Sequence, residues 1–265
     1  MLCYCYGSVS DHFGPSALVN LDLCNGSSVC KLSLHHQNSQ YSTPGRSAIS
    51  FYYVNATSLA KTNAVQQLHR STDIVEYDID VALVAETWFT VKHSDKDIEI
   101  DQYNLFRRDR VRRKGGGVCA YVRAHYICQI FYPTVNHHLI EILWLKIDIG
   151  HALYFVACAY HPLNPKYPPV DFLTELINGI HSVISSYPSS TIVIAGDFNQ
   201  LDTSRLNTDY GLLQIVTTHT HNLNLIDKAF VNQPDIYELI PHCIQSLVKT
   251  KHMAVLIHSV RCLLS

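Results

Sequence analysis

The 265-residue chain lacks an excess of charge. Its 20 Lys and Arg stand against 22 Asp and Glu, for a formal net charge of −2. No global basic field announces a polyanionic partner, so any anion binding has to come from local clusters. Long apolar runs are lacking too. The longest, LYFVACAY over 153–160, has the length of a buried strand and is far too short to cross a membrane. The opening, MLCYCYGSVSDHFG, has no basic start followed by an apolar stretch, which excludes a secretory signal of the usual form. The nine cysteines form no CxxC pair. Their odd number and the missing signal predict free thiols in an intracellular protein rather than a disulfide framework. Cys3, Cys5, Cys24 and Cys30 lie close together, but their spacing fits no standard zinc finger. The glycosylation sequons at Asn25 and Asn55 are expected to be silent without secretion. No internal repeat is found.

What the chain does have is a hydrophobic content of 47%, which suits a packed core. Residues 1–48 include the polar, aperiodic stretch HHQNSQYSTPGRS and read as a poorly ordered leader. Residues 49–265 read as the folded domain. AISFYYVN, VALVAE, STIVIAGDFN, LNLIDKAFVN and MAVLIH read as strands. YNLFRRDRVRRKGGGVCAYVR reads as strand, basic turn, strand, and LIEILWLKIDIG and ALYFVACAY as paired central strands. LAKTNAVQQLHRSTDIVEY reads as a helix with Leu59, Val65, Leu68 and Val75 near helical spacing. DFLTELINGIHSVISSY reads as an amphipathic helix with Phe172, Leu176, Ile180 and Val183 on one face and Asp171 as N-cap. Many adjacent strands with few helices predict packed sheets with helices outside. Asn55, Glu86, Tyr160, Asp197 and Asn199 fall at strand ends, where α/β proteins build their sites.

Three segments carry chemistry. In GDFN (196–199), extended alternation would aim Asp197 and Asn199 to one side and Phe198 to the other. A carboxylate beside a carboxamide can hold a water and a phosphate oxygen or share a hard cation, although Gly, Asp and Asn are also ordinary turn residues. In VAETWF (84–89), Glu86 follows an apolar strand. A buried carboxylate there needs a partner, and oxygen ligands suit Mg²⁺, although a strand end can also simply be solvated. FRRDRVRRKGGG (106–117) concentrates Arg107, Arg108, Arg110, Arg112, Arg113 and Lys114 before three glycines. This hairpin either tracks a phosphate backbone or is a solvated basic loop. THTH (218–221) offers His219 and His221 for a metal but no third ligand nearby.

The order of these pieces resembles the endonuclease/exonuclease/phosphatase superfamily. It is especially similar to the endonuclease domain of non-LTR (LINE-type) retrotransposons, over roughly residues 49–260. The residues that carry the resemblance are AETW, FRRDR..RKGGGV, GDFN, the Ile-Asp at 226–227 and the late His252. The resemblance implies a four-layered α/β sandwich (DNase-I-like), with two mixed sheets face to face and helices outside. It implies phosphodiester hydrolysis with Mg²⁺ or Mn²⁺, DNA as partner, no membrane association and a monomer. Asn55 and Glu86 would then sit at the metal, and Tyr160 and Asn199 at the scissile phosphate. Asp197 would act on the attacking water and His252 on the phosphate. Thr220 would lie near DNA, with Asp227 supporting the site.

Where the family has Ser-Asp-His, this chain has Thr250-Lys251-His252. On the expectation that the aspartate at that place accepts the imidazole hydrogen bond, Lys251 leaves His252 without its acceptor and weakens the enzyme. Thr57, His161, Leu163 and His219 also depart from the family pattern, and the reverse transcriptase that normally follows is missing. The sequence thus predicts a weakened DNA-nicking endonuclease, nuclear if functional. The alternatives are an inactive nucleic-acid-binding remnant or a phosphoesterase of the same superfamily acting on a small substrate.

Overall fold

The computed structural model describes residues 48–70, 77–111, 113–133, 137–237, 242–246 and 248–258. The leader up to residue 47, its four cysteines, Asn25, Val75 and Arg112 lie outside the described residues.

Two six-stranded mixed sheets face each other. The first has the order β11-β12-β1-β2-β4-β3 and the second β5-β6-β7-β8-β10-β9. The strands of the first are β1 (Phe51–Asn55), β2 (Val81–Ala85), β3 (Tyr103–Arg108), β4 (Val118–Arg123), β11 (His242–Gln245) and β12 (Met253–Ile257). Those of the second are β5 (Ile127–Ile130), β6 (Glu141–Asp148), β7 (Leu153–Tyr160), β8 (Thr191–Asp197), β9 (Leu213–Gln214) and β10 (Asp227–Val231). Three α-helices are described: α1 (Ala64–Arg70), α2 (Pro169–Ser186) and α3 (Ser204–Thr208).

The central strands are apolar on both faces because both faces are covered. Phe51, Tyr53, Val81, Leu83, Val156 and Val193 pack between the sheets. The alternate residues Tyr52, Val54, Ala82 and Val84 pack outward with Val65 and Leu68 of α1. On the far side, Phe172, Leu176, Ile180 and Val183 of α2 cover Trp144, Phe155, Ile192 and Ile194. The result is the four-layered α/β sandwich. Helix α2 begins at Pro169, which a rigid φ suits to the first turn. Asp171 therefore lies inside the first turn rather than at the N-cap, which is Pro168. Helix α1 starts only at Ala64, later than its apolar spacing predicts. Leu59 still joins its apolar cluster, from the turn that precedes it.

Each sheet has one parallel pair, β1–β2 and β7–β8. Parallel strands end at the same rim, so Asn55, Glu86, Tyr160 and Asp197 arrive together. Their antiparallel neighbours start there. Asp227, the first residue of β10, lies directly opposite Asp197, and His252 immediately precedes β12, which pairs antiparallel with β1. Topology thus gathers six polar residues from distant parts of the chain at one end of the sandwich.

Candidate active site

Asn55 bridges the two sheets. Its Nδ2 donates to Asp197 Oδ2 at 2.8 Å and to Glu86 Oε1 at 3.0 Å. Thr250 fixes the end of β1 by donating its hydroxyl to the Asn55 carbonyl at 2.8 Å. The backbone around this cluster is strained. Thr57, Glu86, Trp88 and Asn199 all have φ between 46° and 58°, a left-handed region that non-glycine residues seldom occupy. Such positions persist only where their surroundings hold them, and they concentrate at functional sites. Glu86 is held by Trp88, whose indole Nε1 donates to Oε2 at 3.0 Å.

The GDFN segment turns rather than running extended. The Asn199 amide N–H donates to Asp197 Oδ1 at 2.9 Å, and its side-chain Nδ2 to the His161 carbonyl at 2.7 Å. The expectation that Phe198 points away is met: it is fully buried against Phe172 and Phe230. Gly196 lies so close to the backbone of β7 that a Cβ there would collide with the Ala159 carbonyl. The glycine is what lets β8 carry Asp197 to the rim.

His252 has its acceptor. Its Nδ1–H donates to Asp227 Oδ2 at 2.8 Å, inside the protein. Tyr53 donates to the other oxygen of Asp227 at 3.3 Å, and the Asp227 N–H is received by Thr220 Oγ1 at 3.0 Å. The expectation for Lys251 is therefore corrected. The imidazole's partner is not its neighbour in sequence but Asp227, brought in on β10. Position 251 is exposed and its side chain has no part in that bond. Residue i−1 of a strand start points away from residue i, which is why adjacency was a poor guide.

Burial pushes the Asp197 carboxyl up, aided by the charge of Asp227, to about 7 against the pull of Asn199, His252 and Asn55. Burial works against the His252 charge, but the hydrogen bond and charge of Asp227 outweigh it and raise the imidazole above its ordinary value. Ligand atoms of Asp197, Asp227 and His252 lie within 4.8 Å of one another. Glu86 shares the Asn55 amide with Asp197. Two buried carboxylates and a third at their edge form a donor set rich in hard oxygen, which fits a divalent cation. The Asn55 amide, expected at the metal, instead turns its NH₂ to these carboxylates while its Oδ1 accepts from the Thr57 N–H at 2.9 Å.

Other expected residues fall elsewhere. Thr220 is fully buried, its hydroxyl holding the Asp227 N–H and its carbonyl the Met253 N–H, so it supports the site and cannot touch DNA. The basic hairpin is mostly turned inward. Arg107 pairs with Asp95 and Asp109. Arg108 donates to the carbonyls of Ile142 and His137. Arg110 pairs with Glu141. Arg113 and Lys114 are exposed, and Lys114 Nζ lies 5.6 Å from the centre of the Trp88 ring. Of the THTH pair, His219 is exposed. The His221 ring lies against His252, centroids 4.5 Å apart, outside the cluster of ligand atoms. The departure at His161 is absorbed by burial, its Nδ1 within 3.2 Å of the Tyr167 hydroxyl. Tyr53, Trp88, Glu141 and Thr250 join the site without having been expected there. Glu141, a lone acid opening the apolar run EILWL, was the most legible of them.

A model of the endonuclease/exonuclease/phosphatase family matches residues 49–237. The chain belongs to that family, one of metal-dependent phosphoester hydrolases. No curated protein sequence matches. Among solved structures, the endonuclease domain of TRAS1, a telomere-specific non-LTR retrotransposon, is 14% identical with a TM-score of 0.59, over 80% of this chain and 99% of that one. Truncated Caenorhabditis elegans TDP2 is 13% identical with a TM-score of 0.58, over 79% and 96%. A mannosyl-6-phosphatase of Bacteroides thetaiotaomicron is 13% identical with a TM-score of 0.57, over 80% and 100%. At these identities the likeness is one of fold.

Proposed function

We propose that this member of the endonuclease/exonuclease/phosphatase family is a divalent-metal-dependent phosphodiesterase that nicks DNA, and that residues from about 49 onward form its catalytic domain. The observation that carries the reading is the joining of the Asn55–Glu86–Asp197 cluster to a buried Asp227–His252 pair at one rim.

Glu86, its carboxylate fixed by the Asn55 amide, would hold Mg²⁺ or Mn²⁺, which when bound supplies positive charge to the phosphoryl oxygens and makes the leaving oxygen a better one. Asp197 takes the proton of the attacking water. Burial raises its carboxyl above the ordinary carboxylate range, which makes it a better proton acceptor than a solvated carboxylate. Asp227 fixes His252 with Nδ1 inward, leaving Nε2 to donate to a phosphoryl oxygen as charge develops. Tyr160, close to Glu86, and Asn199 flank the place where the phosphate sits. Because His252 has its acceptor in Asp227, this reading does not require a site weakened at Lys251. DNA would be met by exposed Arg113 and Lys114 beside Trp88.

One observation favours a second reading, a small phosphate ester as substrate. Arg107, Arg108 and Arg110 are occupied by internal partners, which leaves less positive surface for a polymer. Nicking of supercoiled plasmid in Mg²⁺, with hexose phosphates in parallel, separates the two. Relaxed circles from the wild type and none from Asp197→Ala support the first. Phosphate release from the monoester without nicking supports the second, and neither activity refutes both.

A further inference from the structure

Arg110 belongs by sequence to the basic hairpin, yet it is the cation of that hairpin most closely tied to the site. Glu141 opens β6 directly opposite Tyr160 at the end of β7, so both side chains stand on the same face of the sheet. The guanidinium grips both oxygens of Glu141, through Nε to Oε1 and through Nη2 to Oε2 at 3.1 Å. Its Cζ lies 5.4 Å from the centre of the Tyr160 ring, within range of a cation–π contact. The Arg110 and Glu141 side chains are 12% and 5% exposed, too little for a cation offered to a phosphate backbone.

The same carboxylate holds the glycine turn. Gly117 N–H donates to Glu141 Oε2 at 2.9 Å. From there the turn is zipped to the Glu86 loop, with Thr87 N–H donating to the Gly117 carbonyl at 3.2 Å and Trp88 N–H to the Gly116 carbonyl at 2.8 Å. Gly116 and Gly117 have φ of 69° and 83°. A Cβ at Gly116 would run into the guanidinium, and one at Gly117 would stand 2.7 Å from Thr87 Oγ1. The glycines therefore make room for the arginine and for the loop.

We propose that Arg110 is a positioning residue: paired with Glu141, it locks Tyr160 and the left-handed Glu86–Trp88 loop to each other, and it does not contact DNA. The inference deepens the function proposed above and rests on it. Removing one charge would strand the other in the interior, so the test is the double variant Arg110→Gln with Glu141→Gln, which keeps a hydrogen-bonding pair without charge. Hydrolysis is followed on plasmid DNA and on bis(p-nitrophenyl) phosphate, a diester with no polymer backbone. We expect kcat to fall on the order of 10²-fold on both, as small misplacements of reacting groups do, with KM and the salt dependence of DNA binding unchanged. Arg110→Lys should recover little, because an ammonium lacks the planar fork. Normal turnover of the small diester, with weaker DNA binding and a salt slope reduced by about 1, would overturn the proposal and make Arg110 a phosphate contact. If the wild type hydrolyses neither substrate, the functional reading fails and hydrogen exchange decides the clamp. Faster exchange at the amides of Thr87, Trp88 and Gly117 in the double variant, with β8 and β10 unchanged, upholds it. Unchanged protection at those three amides overturns it.

Discussion

Replacing Asp227 by Asn tests the reading of the histidine most directly. The substitution keeps the shape of a fully buried side chain and removes its charge. It changes three contacts at once. The 2.8 Å bond to His252 Nδ1 loses its charge assistance and, if the amide presents its NH₂, its acceptor. The Tyr53 hydroxyl loses an anionic acceptor. Asp197 loses the neighbouring charge that helps push its carboxyl up. A hydrogen bond to a charged group contributes about 1.5–3 kcal/mol. The imidazole that loses it also loses its fixed tautomer, and the acid–base assistance at stake is about 10²–10⁴-fold in rate. That corresponds to roughly 3–5 kcal/mol of barrier. Single-turnover nicking at saturating Mg²⁺ should therefore slow by about two to four orders of magnitude in Asp227→Asn. Lys251→Asp should leave the rate within a small factor of wild type. The reasoning is refuted if Asp227→Asn nicks at the wild-type rate, and doubly so if Lys251→Asp accelerates nicking, since the imidazole would then answer to position 251.

Other outcomes follow from the same contacts. Asp197 is raised by burial to about 7, so the folded state holds that proton while the unfolded chain has released it, and stability falls as pH rises from about 4 to about 7. His252 is raised above 6.5, so its contribution, full below 6.5, is lost as pH climbs through its raised value. Buried His161 and half-buried His221 are lowered and act in the opposite sense, but only below 6.5. The metal-free protein should accordingly lose Tm between pH 6.5 and pH 8, less so in Asp197→Asn; a Tm that rises over that interval contradicts the assignment. Gly196→Ala forces a methyl against the Ala159 carbonyl, and overpacking of about 1–3 kcal/mol should appear as a lower urea midpoint together with lost activity. Thr220→Val removes the acceptor of a buried N–H and should destabilise by about 1–3 kcal/mol without altering the salt dependence of DNA binding. Lys114→Ala should weaken DNA binding uniformly across sequences and reduce its salt slope by about 1; an unchanged slope would remove Lys114 from the interface.

The sequence by itself determined most of the strands and much of the candidate site. Central strands such as VALVA, and the IVIA stretch of β8, are apolar at every position because both faces are buried, and that continuity is visible without coordinates. So are the polar residues that end them, Asn55, Glu86, Tyr160 and Asp197, since a carboxylate or amide closing an apolar run has few structural reasons to be there. Short elements with weak patterns, such as β5 with its half-exposed residues and the two-residue β9, were not legible. What only the tertiary structure decided is who meets whom. Asp227 and His252 are separated by 25 residues and joined by a bond, while Lys251, next to His252 in the chain, stays outside. Arg110 looks like part of a solvated basic run, yet it folds inward onto Glu141, 31 residues away. The cause is the same in both cases. A chain records neighbours along itself, whereas parallel strands that end at one rim and antiparallel strands that begin there bring together side chains whose pairing no local spacing encodes.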